Sequence, residues 1–109
     1  MASPSTFGEA VSEARKVKGL SQKELAARII KEDGLSITPQ YLNDIEHDRR
    51  NPSSEHMVRQ FAEVLGQSVD YLSWLVGKLP SSTRRENVAP EKVDQAFVAF
   101  RRALDKGTK

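Results

Sequence analysis

Helical hydrophobic periodicity with capping signals recurs six times along the chain, and this repetition limits the fold more than any other feature. The clearest helix start is Ser21-Gln22-Lys23-Glu24, a capping box in which the Ser hydroxyl and the Glu carboxylate each accept a backbone N–H. Thr38 followed by Pro39 is a second clear start, because the N–H that proline lacks has no partner at the first helical position. No stretch alternates in the way of a half-buried strand. The pattern therefore predicts an all-α fold.

The predicted helices divide the chain into a bundle and a tail. Five of them fall within residues 1–78, whereas residues 79–89 are polar and aperiodic, which is typical of a linker. Residues 90–109 predict a sixth, amphipathic helix with an apolar stripe made of Val93, Phe97, Phe100 and Leu104. An isolated helix of this length is marginal in water, so we expect the stripe to pack on the bundle or on a second subunit as a dimerisation element.

Length and composition limit the possible functions. The chain has 109 residues, about one domain, and no cysteine, which excludes disulfides, thiolate zinc sites and a cysteine nucleophile. The two histidines lack a fixed third ligand, the serines lie at predicted caps, and no Gly-rich phosphate loop is present. We therefore expect no metal, no cofactor and no enzymatic activity. The most apolar stretch, residues 71–76, is too short to cross a bilayer, so we expect no membrane partner and a cytoplasmic location.

The positive charge is concentrated in the tail. The net charge is +2, but residues 1–78 contain 10 Lys and Arg against 11 Asp and Glu, whereas residues 79–109 contain 7 against 4. Any nucleic-acid affinity of the bundle must therefore come from a local basic edge.

The second and third predicted helices have the arrangement of a helix-turn-helix motif. The first and second predicted helices are capped, and the third is a short helix whose inner positions are Leu42 and Ile45. The amide side chains of this third helix share its other face with His47. In such a motif the last of these helices enters the major groove of DNA and places its side chains against base edges.

Five segments of the chain resemble the Cro/repressor-like (XRE) helix-turn-helix family: Arg15, residues 19–26 (GLSQKELA), 41–46 (YLNDIE), 49–53 (RRNPS) and 62–66 (AEVLG). The resemblance covers Phe7 to about Val76. It implies a five-helix, lambda-repressor-like bundle. It also implies a sequence-specific transcriptional regulator, a repressor that binds an inverted-repeat operator on double-stranded DNA as a homodimer.

The resemblance also assigns roles to individual residues. The helix at about Thr38–His47 would be the recognition helix, with base contacts from Gln40, Asn43 and Asp44. Phosphate contacts would come from Gln22, Lys23, Arg49 and Arg50. A structural ion pair would join the first helix to the third through Arg15 and Glu46.

Three departures from the family pattern carry consequences. The stretch from Ile30 to Ile37 is longer than the ~3–4-residue turn of a standard motif, so either the second helix extends by a turn or a loop is inserted. In members of this family the position of Pro39 often carries a side chain that contacts DNA. The resemblance therefore implies that fewer side chains read base edges in this chain. Asp44 and Asp48 bring negative charge toward phosphates, which is unfavourable unless they are paired, for example with Arg49.

Two alternatives remain open from the residues alone. The same domain occurs in antitoxins and in restriction-modification controllers. A protein-interaction adaptor is also possible, in which the bundle is a scaffold and the C-terminal helix docks on a protein partner. The near-neutral charge of the bundle favours the adaptor slightly.

Overall fold

The computed structural model describes residues 4–78 and 88–107, and the predicted all-α fold is confirmed over these ranges. Most of the predicted linker, residues 79–87, lies outside the described residues. The described helices are α1 (Phe7–Val17), α2 (Gln22–Arg28), α3 (Pro39–Glu46), α4 (Glu55–Leu65), α5 (Val69–Val76) and α6 (Pro90–Gly107). None of them is both long and apolar enough to cross a membrane.

The five bundle helices all begin with the same type of N-cap. Each N-cap residue has extended backbone, and its hydroxyl accepts the backbone N–H three residues later. For α4 the sequence favours Ser53 as the cap, but the cap in the structure is Ser54, one residue later. The caps are Thr6, Ser21, Thr38, Ser54 and Ser68.

The core of the bundle holds α3 in place from two sides. Helix α1 packs against α3, α4 and α5, and α2 packs against α3. Phe7 of α1 and the fully buried Phe61 of α4 meet edge to face with ring centroids 5.5 Å apart. The apolar spacing of Phe7, Ala10, Val11 and Ala14 continues to Val17 and predicts that Val17 is buried, but Val17 is the last residue of α1 and is 87% exposed. The inner face of α3, with Leu42 and Ile45, is completely buried.

The connection between α2 and α3 is an inserted loop and not an extension of α2. Helix α2 ends at Arg28, and Ile29 already has extended backbone. A short antiparallel bridge pairs Ile30 with Ser36, and Ile37 donates its N–H to the Ile29 carbonyl at 3.0 Å. Ile30 continues the apolar spacing of Leu25, Ala26 and Ile29, which predicts a place on the buried side of α2, but it lies outside the helix and is exposed.

Two side chains of α4 hold this loop by contacts with the Ile30 backbone. Gln60 accepts the Ile30 N–H through Oε1 at 3.0 Å, and the His56 ring lies with Nε2 2.8 Å from the Ile30 carbonyl oxygen. Ile29 and Ile37 are buried at the two ends of the loop. The loop is thus anchored by backbone hydrogen bonds and by burial, and it delivers the chain to the Thr38 cap in a defined position.

Gly8 lies where α1 meets the end of α3 without intervening side chains. A Cβ atom at Gly8 would be 2.3 Å from the Ile45 carbonyl oxygen and 2.6 Å from Oδ1 of Asp48. Thr6 also donates its hydroxyl to Oδ2 of Asp48 at 3.0 Å. The C-terminal end of α3 is therefore positioned by a direct approach of backbone to backbone.

Candidate nucleic-acid interface

The outer face of α3 carries four polar side chains at helical spacing. Gln40 and His47 are exposed, whereas Asn43 and Asp44 between them are half-buried. The opposite face is covered by the core, so α3 presents one polar surface about two turns long.

An ion pair between Arg15 and Glu46 connects α1 to α3. Arg15 donates from Nε to Oε2 of Glu46 at 2.6 Å and from Nη2 to Oε1 at 3.0 Å. Its third arm, Nη1, donates to the Leu20 carbonyl at the corner between α1 and α2. The two side chains are only 13% and 4% exposed. The pair therefore fixes three elements relative to one another from inside the protein.

Gln22 extends this network from α2 to the outer face of α3. Its Nε2 donates to Oε1 of Glu46 and to Oδ1 of Asn43, each at 3.1 Å. A carboxamide nitrogen has two hydrogens, so both are engaged within the protein. In this arrangement Gln22 has no side-chain donor left for the phosphate contact that the resemblance implies.

Three donor side chains surround the carboxylate of Asp44. Its carboxylate accepts from Nε2 of Gln40 at 3.1 Å and from Nη1 of Arg49 at 3.2 Å, and Nε of Arg50 lies 3.8 Å away. The Arg50 guanidinium also lies 5.0 Å from the centroid of the Tyr41 ring. The Arg49 and Arg50 side chains remain 59% and 58% exposed. The negative charge of Asp44 is thus paired, and both guanidinium groups lie at the edge of the α3 surface.

The first turn of α2 adds one more cation to this edge. Lys23 is exposed beside the capping box. The Ser21 backbone N–H donates to the Glu24 carboxylate at 2.8 Å and lowers the pKa of Glu24 below its usual 4.5. Because the folded pKa is depressed, the contribution of the box to stability is present at neutral pH and is lost as the pH falls through that pKa.

The described residues contain no cluster of His, Asp and Glu side chains that could hold a metal ion. Both histidines have structural partners. Nδ1 of His47 lies 2.9 Å from the Asn43 carbonyl oxygen, and His56 contacts the loop before α3.

The region that forms this surface is similar to known proteins. The helix-turn-helix family model matches residues 11–72, which include α2, the inserted loop and α3. The chain belongs to the XRE-type helix-turn-helix family. Members of this family are DNA-binding transcriptional regulators.

Similarity to a solved structure supports the fold of this helix-turn-helix protein. A chain of the SinR protein/SinI protein complex matches it with a TM-score of 0.51 and 24% identity, over 94% of each chain. No curated protein matches the chain significantly.

Two contacts of the helix-turn-helix surface were not predicted from the sequence. The helical spacing of α3 predicts that Tyr41 lies half-buried beside the core, but its contact with the Arg50 guanidinium depends on the path of the loop after α3. The bond between Gln22 and Asn43 joins residues 21 apart in the chain. The spacing of Gln22 from the Ser21 cap gives its place on α2, but no local pattern indicates its partner.

Proposed function

We propose that this helix-turn-helix protein is a sequence-specific repressor that inserts α3, with its flanking residues Thr38 and His47, into the major groove of double-stranded DNA. The observation that carries the proposal is the polar outer face of α3, bordered by exposed guanidinium groups and held by a buried ion pair. The major groove of B-DNA admits one α-helix and displays a distinct donor and acceptor pattern for each base pair. A repressor acts by occupying a promoter, which requires no catalytic group.

The side chains divide into two kinds of contact. Gln40, Asn43 and Asp44 would read base edges. Gln40 can bind adenine bidentately, and Asp44 can accept from cytosine N4. Lys23, Arg49 and Arg50 would bind the phosphates beside the groove and set the register without reading sequence. The Gln22 carboxamide acts within the protein and orients α3.

The stripe on α6 supports a homodimer. Val93, Phe97, Phe100 and Leu104 are each 39–44% exposed in the described chain and follow the alternating spacing of four and three residues that is typical of paired helices. A two-fold dimer would place two recognition helices about 34 Å apart and would bind an inverted repeat.

A second candidate uses the same stripe for a different protein. The solved structure similar in fold is a complex of two proteins, SinR and SinI. An adaptor, antitoxin or restriction-modification controller would likewise need an apolar docking face for its protein partner. In those cases α6 would bind the partner instead of its own copy.

Selection of bound sites from a random duplex library tests the proposal. We expect enrichment of an inverted repeat whose half-sites are one helical turn apart. Recovery of unenriched sequence, together with weak binding to all duplexes at low salt, would contradict sequence-specific binding by α3.

The salt dependence of DNA binding should depend on Arg49 and Arg50. The slope of log K against log salt falls by about one for each phosphate contact removed, so Arg49→Ala and Arg50→Ala should each reduce it by about one. Lys18→Ala removes the same charge near Gly66, at the end of α4, and should leave the slope unchanged. Equal slopes for the wild-type protein and the three variants would show that neither arginine contacts a DNA phosphate.

Asp44→Asn should strengthen binding to DNA that lacks the operator. The change releases Arg49 and Arg50 from a competing carboxylate and removes a negative charge that faces phosphates. We expect a gain of roughly threefold to tenfold, the scale of one screened surface charge pair, and a smaller ratio of specific to nonspecific affinity. Glu63→Gln changes the net charge equally on the exposed side of α4 and serves as control. The same gain in both variants would show that only net charge matters.

Charge on the α6 stripe should separate the subunits. Phe97→Glu and Phe100→Glu would each bury a carboxylate in the dimer seam, so we expect a shift to the monomer mass in sedimentation equilibrium at micromolar concentration. Gln95→Glu lies on the opposite side of α6 and should leave the mass unchanged. A dimer that persists in both Phe variants would contradict the α6 interface.

A further inference from the structure

We propose that Gln22 fixes the orientation of the Asn43 carboxamide, so that Asn43 presents its Nδ2 hydrogens to the major groove and reads guanine. The inference rests on the proposed placement of α3 in the groove and adds a base preference to it. Gln22 is a positioning residue here, since it sets the readout of Asn43 without contacting a base.

The orientation starts at the buried carboxylate of Glu46. Its two oxygens are bound by the Arg15 guanidinium at 2.6 and 3.0 Å, and an ionised carboxylate can only accept hydrogen bonds. The carboxamide atom of Gln22 that lies 3.1 Å from Oε1 of Glu46 must therefore be the nitrogen. The reverse orientation would place two oxygen atoms in contact, one of them charged.

The second hydrogen of the same nitrogen determines the orientation of Asn43. It points to a side-chain atom of Asn43 at 3.1 Å, and that atom must be an acceptor, which identifies it as Oδ1. The Asn43 nitrogen is consequently the other arm of the amide. Among the described residues this Nδ2 has no hydrogen-bond partner. The hydrogen bonds thus run from Arg15 through Glu46 and Gln22 to Asn43, from the core to the surface. They allow one orientation of the Gln22 amide and one of the Asn43 amide.

The group of Asn43 that has no partner among the described residues is a donor, and donors are complementary to guanine. Guanine presents two neighbouring acceptors, O6 and N7, in the major groove, whereas cytosine presents the N4 donor. Adenine places a donor at N6 beside its N7, and the usual asparagine contact to adenine uses Oδ1 as acceptor. Adenine would require Oδ1 of Asn43 to accept a second hydrogen bond, from N6, while Gln22 holds it, whereas guanine requires only the Nδ2 donor, so guanine is the base that this side chain fits best.

Base substitution in the selected operator provides the test. Loss of discrimination in Asn43→Ala identifies the contacted pair, and dissociation constants are then measured for all four bases at that position. We expect the wild-type protein to prefer guanine there by roughly fivefold to a hundredfold. Replacing that guanine by 7-deazaguanine, which lacks the N7 acceptor, should weaken the wild-type complex and leave Asn43→Ala unaffected.

Two variants test the role of Gln22. Gln22→Met keeps the length of the side chain but removes the amide, so the Asn43 amide can rotate and the guanine preference should fall to within about twofold of the other bases, which is under ~0.5 kcal/mol. Asn43→Asp retains the acceptor for Gln22 and presents an acceptor outward, so the preference should change from guanine to cytosine. Lys23→Ala is the matched control next to Gln22, and it should weaken all four duplexes equally.

The outcomes separate this inference from the proposed function. If the wild-type protein selects no sequence, both are overturned. If it selects an operator but the pair contacted by Asn43 carries adenine, thymine or cytosine at that position, only the guanine assignment fails. If Gln22→Met weakens every duplex equally and keeps the guanine preference, Gln22 is a phosphate contact and does not orient Asn43. Asn43→Asp is a surface change and provides a readout even if Gln22→Met unfolds.

Discussion

Gly8→Ala is expected to destabilise the bundle by about 2 kcal/mol or more, at the upper end of the range for an overpacked site. The added methyl group would lie 2.3 Å from the Ile45 carbonyl oxygen, a backbone atom that cannot move without displacing the end of α3. The free energy of unfolding in urea measures the effect.

The sign of the change makes this a strict test. At an open helical position, Gly→Ala stabilises a protein by up to about 1 kcal/mol because alanine has the higher helix propensity. A stabilised Gly8→Ala variant would therefore show that α1 and α3 are not in direct backbone contact. We further expect weaker operator binding at temperatures where the variant is folded, since the displaced helix is the one that reads DNA.

Glu46→Ala is expected to cost roughly 3–5 kcal/mol, the usual effect of leaving a buried charge without its partner. The Arg15 guanidinium would lose both hydrogen bonds to the carboxylate, and Gln22 would lose one of its two acceptors. Thermal and chemical unfolding should both show the loss. A cost below about 1 kcal/mol would mean that the pair behaves as an exposed one.

Two comparisons isolate the cause. Arg59→Ala breaks the exposed pair with Glu55 on α4 and should change stability by no more than about 0.5 kcal/mol. The double replacement Arg15→Met with Glu46→Leu removes both charges, and it should recover much of the loss because an apolar pair of similar volume fits a buried site. The double variant should nevertheless lose operator specificity, since Gln22 has no carboxylate to orient it.

The elements of the fold were predictable where the signals are local. The caps at Thr6, Ser21, Thr38 and Ser68 lie at the positions that the sequence indicates, because a capping hydroxyl and the helical periodicity that follows it are both read from neighbouring residues. The polar face of α3 follows in the same way from helical periodicity.

Features that depend on distant contacts were not predictable. Ile30 fits the periodicity of α2, but α4 binds its backbone N–H and carbonyl and thereby favours the loop over another helical turn. The role of Gly8 depends on the approach of Ile45, and that of Gln22 on Asn43 and Glu46, so neither can be recognised from neighbouring residues.

Alkylation of single cysteines can locate the DNA on the protein surface, because the chain contains no cysteine of its own. Gln40→Cys places a thiol on the outer face of α3, and Glu63→Cys places one on the exposed side of α4. The rate of maleimide modification is measured with and without saturating operator duplex. If α3 occupies the major groove, DNA should slow modification of Gln40→Cys at least tenfold, corresponding to about 1.4 kcal/mol of protection, and should leave Glu63→Cys unaffected. Bound DNA that leaves Gln40→Cys fully reactive would show that the protein binds DNA through another surface.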